Sequence, residues 1–187
     1  DWLEREPELD PGRIGAIGVS MGGVVTATLL GVEPRIRAAV IALGGARLDE
    51  IVLESVEKDA REYVRERLRR AGGTRAQLQA QLAAALTCGP EALAPYSSAE
   101  VLQVLARRDR SVPYANQRAL WEALGRPERI ELPTGHLSSG LYSRTGTRYR
   151  HRHLRCLSGM QHGRQPYSSR IEIPWPTPRS ACRRRRR

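Results

Sequence analysis

The sequence predicts an α/β fold, a mostly parallel sheet flanked by helices. Three observations carry this expectation. Four short apolar runs, Arg13–Val19, Arg37–Gly45, Val101–Ala106 and Glu128–Pro133, read as strands. The first two are joined by an apolar, helix-length segment, so they form a strand–helix–strand unit. Both are near-continuously apolar, the pattern of parallel strands covered on two faces. A chain of 187 residues is ample for one domain and short for two.

The elements follow in order. "DWLEREPELDPG" is the end of an amphipathic helix closed by a Pro-Gly turn. "RIGAIGV" is a buried strand, and "MGGVVTATLLG" a buried helix stopped by Gly31. "RAAVIALGG" is the second strand. From Leu48 to about Leu86 the character changes. Val56, Ala60, Tyr63, Val64 and Leu68 recur at helical spacing, "AGGT" breaks the run, and "RAQLQAQLAAAL" resumes it, so this is a helical insertion. "TCGPEALAPYSS" is a turn-rich connector. "VLQVLA" is the third strand and "RRDRSVP" the loop leaving it. "YANQRALWEALG" is a helix with Pro113 at its start and Gly125 past its end. "ERIELP" is the fourth strand, and "TGH" leaves it.

After Leu141 no period of 2 or 3.6 is sustained, and the chain ends in five arginines. Residues 142–187 read as a disordered basic tail. The net charge of +11 belongs to this end. Residues 1–136 hold 18 Lys and Arg against 19 Asp and Glu, whereas residues 137–187 hold 13 Arg and one acid, Glu172. The body therefore gives no electrostatic reason to expect nucleic acid as a partner. Cys88, Cys156 and Cys182 show no metal-ligand spacing, and one cysteine in the body fits a reducing compartment, so a cytoplasmic location is expected. No apolar run is long enough to span a membrane.

The chemistry lies in three residues at predicted strand ends. Ser20 sits in G-V-S-M-G, where a strand turns sharply into a helix. Asp109 follows the third strand, and His136, the only histidine in the body, follows the fourth. Parallel strands bring their carboxyl ends to one edge, where sites form in open α/β sheets. Gly18 and Gly22 let the backbone pass close to itself while Ser20 takes a strained conformation at the apex. The Met21 N–H lies at a helix N-terminus, placed to stabilise an oxyanion. A serine hydroxyl needs a base to become nucleophilic, and an imidazole held by a carboxylate supplies one. G-x-S-x-G alone is a loose motif that glycine-rich turns match by chance. Its flanking strand and helix, together with Asp109 and His136 in order, make it specific. Alone, His136 reads as a surface-loop histidine and Asp109 as a solvated acid. Asp49, just past the second strand, is the rival for the acid role.

These residues resemble the α/β-hydrolase superfamily, in the layout of its dienelactone-hydrolase and serine-esterase or peptidase branches. The match rests on "RIGAIGVSMGG", "ARRDRSVPYANQRALWEALG" and "ELPTGH", and covers about residues 1–141. The resemblance implies Ser20 as nucleophile, Asp109 as acid, His136 as base, and Met21 as one oxyanion-hole donor. It implies a partial α/β-hydrolase domain at 1–141, with a cap that shapes the pocket at about 48–86. It also implies that further strands, and the loop giving a second oxyanion-hole donor, lie upstream of Asp1.

The expected function is a serine hydrolase acting on a small-molecule carboxylic ester or related acyl bond, with no cofactor and no metal. A serine peptidase of the same fold is the alternative, since the triad chemistry is shared. A second alternative is an inactive fragment or a non-catalytic binding protein, whose arginine-rich tail binds nucleic acid or an acidic surface.

Overall fold

The computed structural model describes residues 2–139. The tail expected to be disordered lies outside the described residues. A sheet of four parallel strands is built from β1 (Ile14–Val19), β2 (Ile36–Ala42), β3 (Glu100–Ala106) and β4 (Glu128–Leu132), in the order β1-β2-β3-β4. All four match the runs read from the sequence. In register, Ala16 faces Ala39, Ala39 faces Val101, and Val104 faces Ile130.

Among the described residues seven helices accompany the strands: α1 (Trp2–Arg5), α2 (Met21–Leu30), α3 (Leu48–Glu54), α4 (Lys58–Ala71), α5 (Arg75–Ala85), α6 (Pro90–Leu93) and α7 (Tyr114–Ala123). The stretch before β1 closes in a 3-10 turn, Pro11–Arg13, where Asp10 accepts from the Gly12 N–H at 2.9 Å. α2 and α7 are the connections that pack on the sheet. The turn-rich connector holds α6 and a second 3-10 turn at Ala94–Tyr96.

The insertion forms three helices rather than two. Apolar periodicity does not reveal the break at Ser55–Glu57, because a local turn makes it: the Ser55 hydroxyl accepts from the Glu57 N–H. The "AGGT" break is as read. Gly72 ends α4 in the left-handed conformation at φ 59°. Thr74 then opens α5 with a reciprocal capping box to Gln77.

The apolar interior divides in two. The larger cluster gathers Ala27, Leu30, Ile36, Ala39, Ile41, Val101 and Leu120 between the sheet, α2 and α7. The smaller gathers Leu53, Val64, Leu78 and Leu82 among α3, α4 and α5, so the insertion has its own core.

One expectation needs correction. β1 is not covered on both faces. Among the described residues it pairs with β2 alone, and Ile17 and Val19 are 69% and 56% exposed, beside exposed Met21 and Val25. Its apolar sequence is that of an interior strand, but its place is an edge.

Leu105 is fully buried in β3. Replacing it with Ala removes apolar area and leaves a cavity in the buried core around β3. Leu105→Ala is expected to lower unfolding free energy by about 2–5 kcal/mol in urea denaturation. A loss under about 1 kcal/mol would show that this core is not formed as described.

Candidate active site

Ser20 ends β1 and caps α2. Its backbone is at φ 56°, ψ −120°, a region L residues avoid. Such a conformation costs about 1–3 kcal/mol and persists only where its surroundings impose it. Here the Ser20 N–H donates to the Ala42 carbonyl at 2.8 Å, and its own carbonyl accepts from Val24 at 3.1 Å as α2 begins. The side chain makes no helix cap and turns outward instead.

The two elbow glycines differ in what they do. A Cβ on Gly18 would lie 2.1 Å from the Gly22 carbonyl oxygen and 2.3 Å from Thr26 Oγ1, so this turn needs glycine. A Cβ on Gly22 would meet nothing within 4 Å. Gly22 supplies the close backbone, and its own lack of a side chain is not what the turn demands. The expectation that both glycines are sterically required holds for Gly18 alone.

His136 sits in the loop after β4, and Asp109 in the loop after β3. The loops are joined where the Arg108 N–H donates to the Thr134 carbonyl at 2.9 Å. Ser138 Oγ accepts from the Gly135 N–H at 3.0 Å, and Ser139 Oγ donates to the Gly135 carbonyl at 2.7 Å, bracing the turn that carries the histidine. His136 Nε2 lies 2.8 Å from Ser20 Oγ, and Nδ1 lies 2.6 Å from Asp109 Oδ2. With the proton on Nδ1 donated to the carboxylate, Nε2 accepts the serine O–H. The carboxylate hydrogen-bonded to His136 belongs to Asp109 and not to Asp49.

Asp109 is 5% exposed. A buried carboxylate requires donors, and here it has four. Oδ1 accepts from the N–H groups of Ser111 at 2.8 Å and Val112 at 3.0 Å. Oδ2 accepts from Gln117 Nε2 at 3.0 Å as well as from His136. Gln117, fully buried on α7, also donates to the Val112 carbonyl and accepts from the Ala106 N–H. It locks the acid loop to the end of β3.

The sequence reading missed Gln117. The available signal was a polar side chain eight residues after the acid, on the helix that also packs Leu120 into the core. It also missed Glu57, whose carboxylate accepts a short hydrogen bond from the Ser111 hydroxyl. Glu57 comes from the insertion, far in sequence from the strand ends.

The hydrogen bond to Asp109 raises the His136 pKa above its ordinary value. Desolvation works against this, and the charges of Asp109 and Glu57 add to it. The protonated histidine therefore contributes stability that is complete below its unfolded pKa and is lost as pH rises through the folded value.

The Met21 N–H opens α2 directly beside Ser20, at the positive end of the helix. Among the described residues, no group of three or more His, Cys, Asp or Glu is placed to hold a metal, and no helix is long and apolar enough to cross a membrane.

The architecture recurs in solved structures. An acetyl xylan esterase from Paenibacillus sp. R4 superposes with a TM-score of 0.64 at 18% identity, over 80% of this chain and 48% of that one. The fold is that of the α/β hydrolases. Acetyl xylan esterase 1 from Thermoanaerobacterium sp. JW/SL YS485 gives 0.56 at 20% identity, over 72% and 44%. A puromycin-hydrolyzing peptidase of Mycobacterium tuberculosis gives 0.55 at 17%, over 72% and 20%. The chain thus spans less than half the length of each of these α/β hydrolases. No family model and no curated protein matches the sequence.

The contrast between the two glycines is testable. Gly18→Ala forces a backbone clash and is expected to cost at least about 1–3 kcal/mol. Gly22→Ala, in the first turn of α2, is expected to leave stability unchanged or raise it by up to about 1 kcal/mol. Thermal unfolding of the two variants checks this, and equal losses would refute the distinction.

Proposed function

We propose that the chain carries the catalytic centre of a serine hydrolase that cleaves a carboxylic ester through an acyl-enzyme. One observation carries this reading: the unbroken hydrogen-bonded line from Asp109 through His136 to Ser20. A structural glycine turn explains Gly18. It does not explain a buried acid aimed at an imidazole that is aimed in turn at a strained serine.

The steps follow from the geometry. Ser20 Oγ attacks the carbonyl carbon while its proton passes to His136 Nε2. The carbonyl oxygen becomes an oxyanion, stabilised by the Met21 N–H at the start of α2. Asp109 holds the Nδ1 proton and stabilises the imidazolium. The C–O bond to the alcohol breaks, and the alcohol leaves with the proton from Nε2. Water then attacks the acyl-enzyme and gives a proton to Nε2. Collapse releases the acid and returns that proton to Ser20.

No step calls for a cofactor or metal. The insertion is read as the cap over this centre, within a catalytic domain of about residues 1–141. A peptidase is the rival reading, because the same fold in the Mycobacterium tuberculosis structure belongs to a peptidase and the triad chemistry is common to both.

A fluorophosphonate probe tests the centre directly. Ser20 is expected to be the labelled residue by peptide mass spectrometry. Ser20→Ala should abolish labelling, and Asp109→Asn should slow it by roughly 10³–10⁴-fold. Folded protein left unlabelled at Ser20 would refute the nucleophile assignment.

The raised pKa of His136 sets the pH dependence. The base must be neutral to act, so the labelling rate should fall on the acid side with a midpoint above the ordinary histidine value of about 6.5. Glu57→Gln removes one negative charge near the imidazole and keeps an acceptor for Ser111, so it should move that midpoint to lower pH. A midpoint that stays in place or rises would show that Glu57 exerts no field on His136.

A further inference from the structure

Helix α4 carries six cations: Lys58, Arg61, Arg65, Arg67, Arg69 and Arg70. They fall into two groups. Arg69 and Arg70 share Glu66, and Arg67 donates to Gln81 on α5 at 3.4 Å. Lys58, Arg61 and Arg65 make no side-chain hydrogen bond or ion pair among the described residues. Spacings of three and four residues put these three on one face of the helix.

That face is concave. The three cations line a groove of about 400 Å³ with Val56 and Glu62. The volume lies in the range of small-molecule sites, although the lining here is charged where such sites are mostly apolar. Three cations face one carboxylate. A charged wall of this kind selects a charged ligand. An apolar one would leave the guanidinium groups without partners as it displaced their water.

One lining residue, Val56, adjoins the acid loop. The Val56 N–H donates to the carbonyl of Arg110, the residue after Asp109. Glu57, between Val56 and Lys58, bonds the Ser111 hydroxyl of the same acid loop. Its carboxylate is occupied there, which leaves Glu62 as the opposing charge in the groove. Arg61 and Arg65, four residues apart on α4, line the same groove, and a guanidinium pairs well with a carboxylate.

We propose that this groove binds a free carboxylate carried by the ester substrate, so that half-esters of dicarboxylic acids are preferred over neutral esters. The proposal rests on the hydrolase reading above and names the substrate class of that centre. The groove is exposed, so the attraction weakens as salt rises.

The test uses two readouts. Lys58 is the only lysine in the sequence. Reductive ¹³C-methylation therefore places a single lysine reporter in the groove and keeps its charge. In Ser20→Ala protein, glutarate should shift this signal saturably, and chloride at equal ionic strength should not. Arg61→Glu with Arg65→Glu should weaken glutarate binding at least tenfold, in protein whose circular dichroism and unfolding midpoint match the parent's. In the unsubstituted chain, kcat/KM for p-nitrophenyl hemiglutarate should exceed that for p-nitrophenyl butyrate. The ratio should fall at least tenfold in the double variant. No saturable glutarate shift, or a ratio indifferent to the double variant, overturns the groove assignment while Ser20 labelling stands. Glutarate binding with Ser20 unlabelled overturns the assignment of the groove to a hydrolase substrate and, separately, the hydrolase reading itself.

Discussion

The carboxylate of Asp109 is the interaction around which the strand ends are organised. A charge so far removed from water is tolerated only with its lone pairs occupied. Four donors from three segments supply this. Two are backbone groups of its own loop, so the loop curls around the acid. One is Gln117, which ties the loop to α7 and to the last residue of β3. The fourth is the imidazole, so the direction of His136 is set by the same need that shapes the loop. Serving a buried charge and aiming a base are one arrangement here.

Ser20 complements this from the other side of the sheet order. It follows β1, Asp109 follows β3 and His136 follows β4. Only the parallel running of the strands lets side chains 116 residues apart meet at 2.8 Å. The backbone strain at Ser20 is held by β2, through the Ala42 carbonyl, and by the first turn of α2. The sheet thus acts twice, bringing the loops to one edge and holding the serine in a conformation it would otherwise leave.

Much of this was legible in the sequence. The four strands are apolar runs too short to be helices, and the Ser20, His136 and Asp109 set stands out because strand ends, chain order and a lone body histidine coincide. What escaped did so for physical reasons. Gln117 looks like any polar residue on a helix, since sequence does not show which polar side chain turns inward to meet a buried charge. Glu57 belongs to an insertion whose docking on the acid loop is a tertiary fact. The exposure of β1 is invisible in its composition, because apolarity reports what a strand is suited to and not which neighbours it has. Gly22 looks equivalent to Gly18 in the motif, and only the path of the backbone separates them.

The divided interior has a consequence for how such a chain can change over generations. The apolar cluster of α3, α4 and α5 shares no residue with the cluster beneath the sheet. Substitutions inside the insertion are therefore absorbed locally, and their energies add to those of the main core instead of compounding with them. Two threads cross the divide to the acid loop, Val56 to Arg110 and Glu57 to Ser111, and a third joins Asn116 of α7 to Glu50 of α3. The three helices are a module whose surface chemistry, the groove of α4 included, can change while those three stitches are kept.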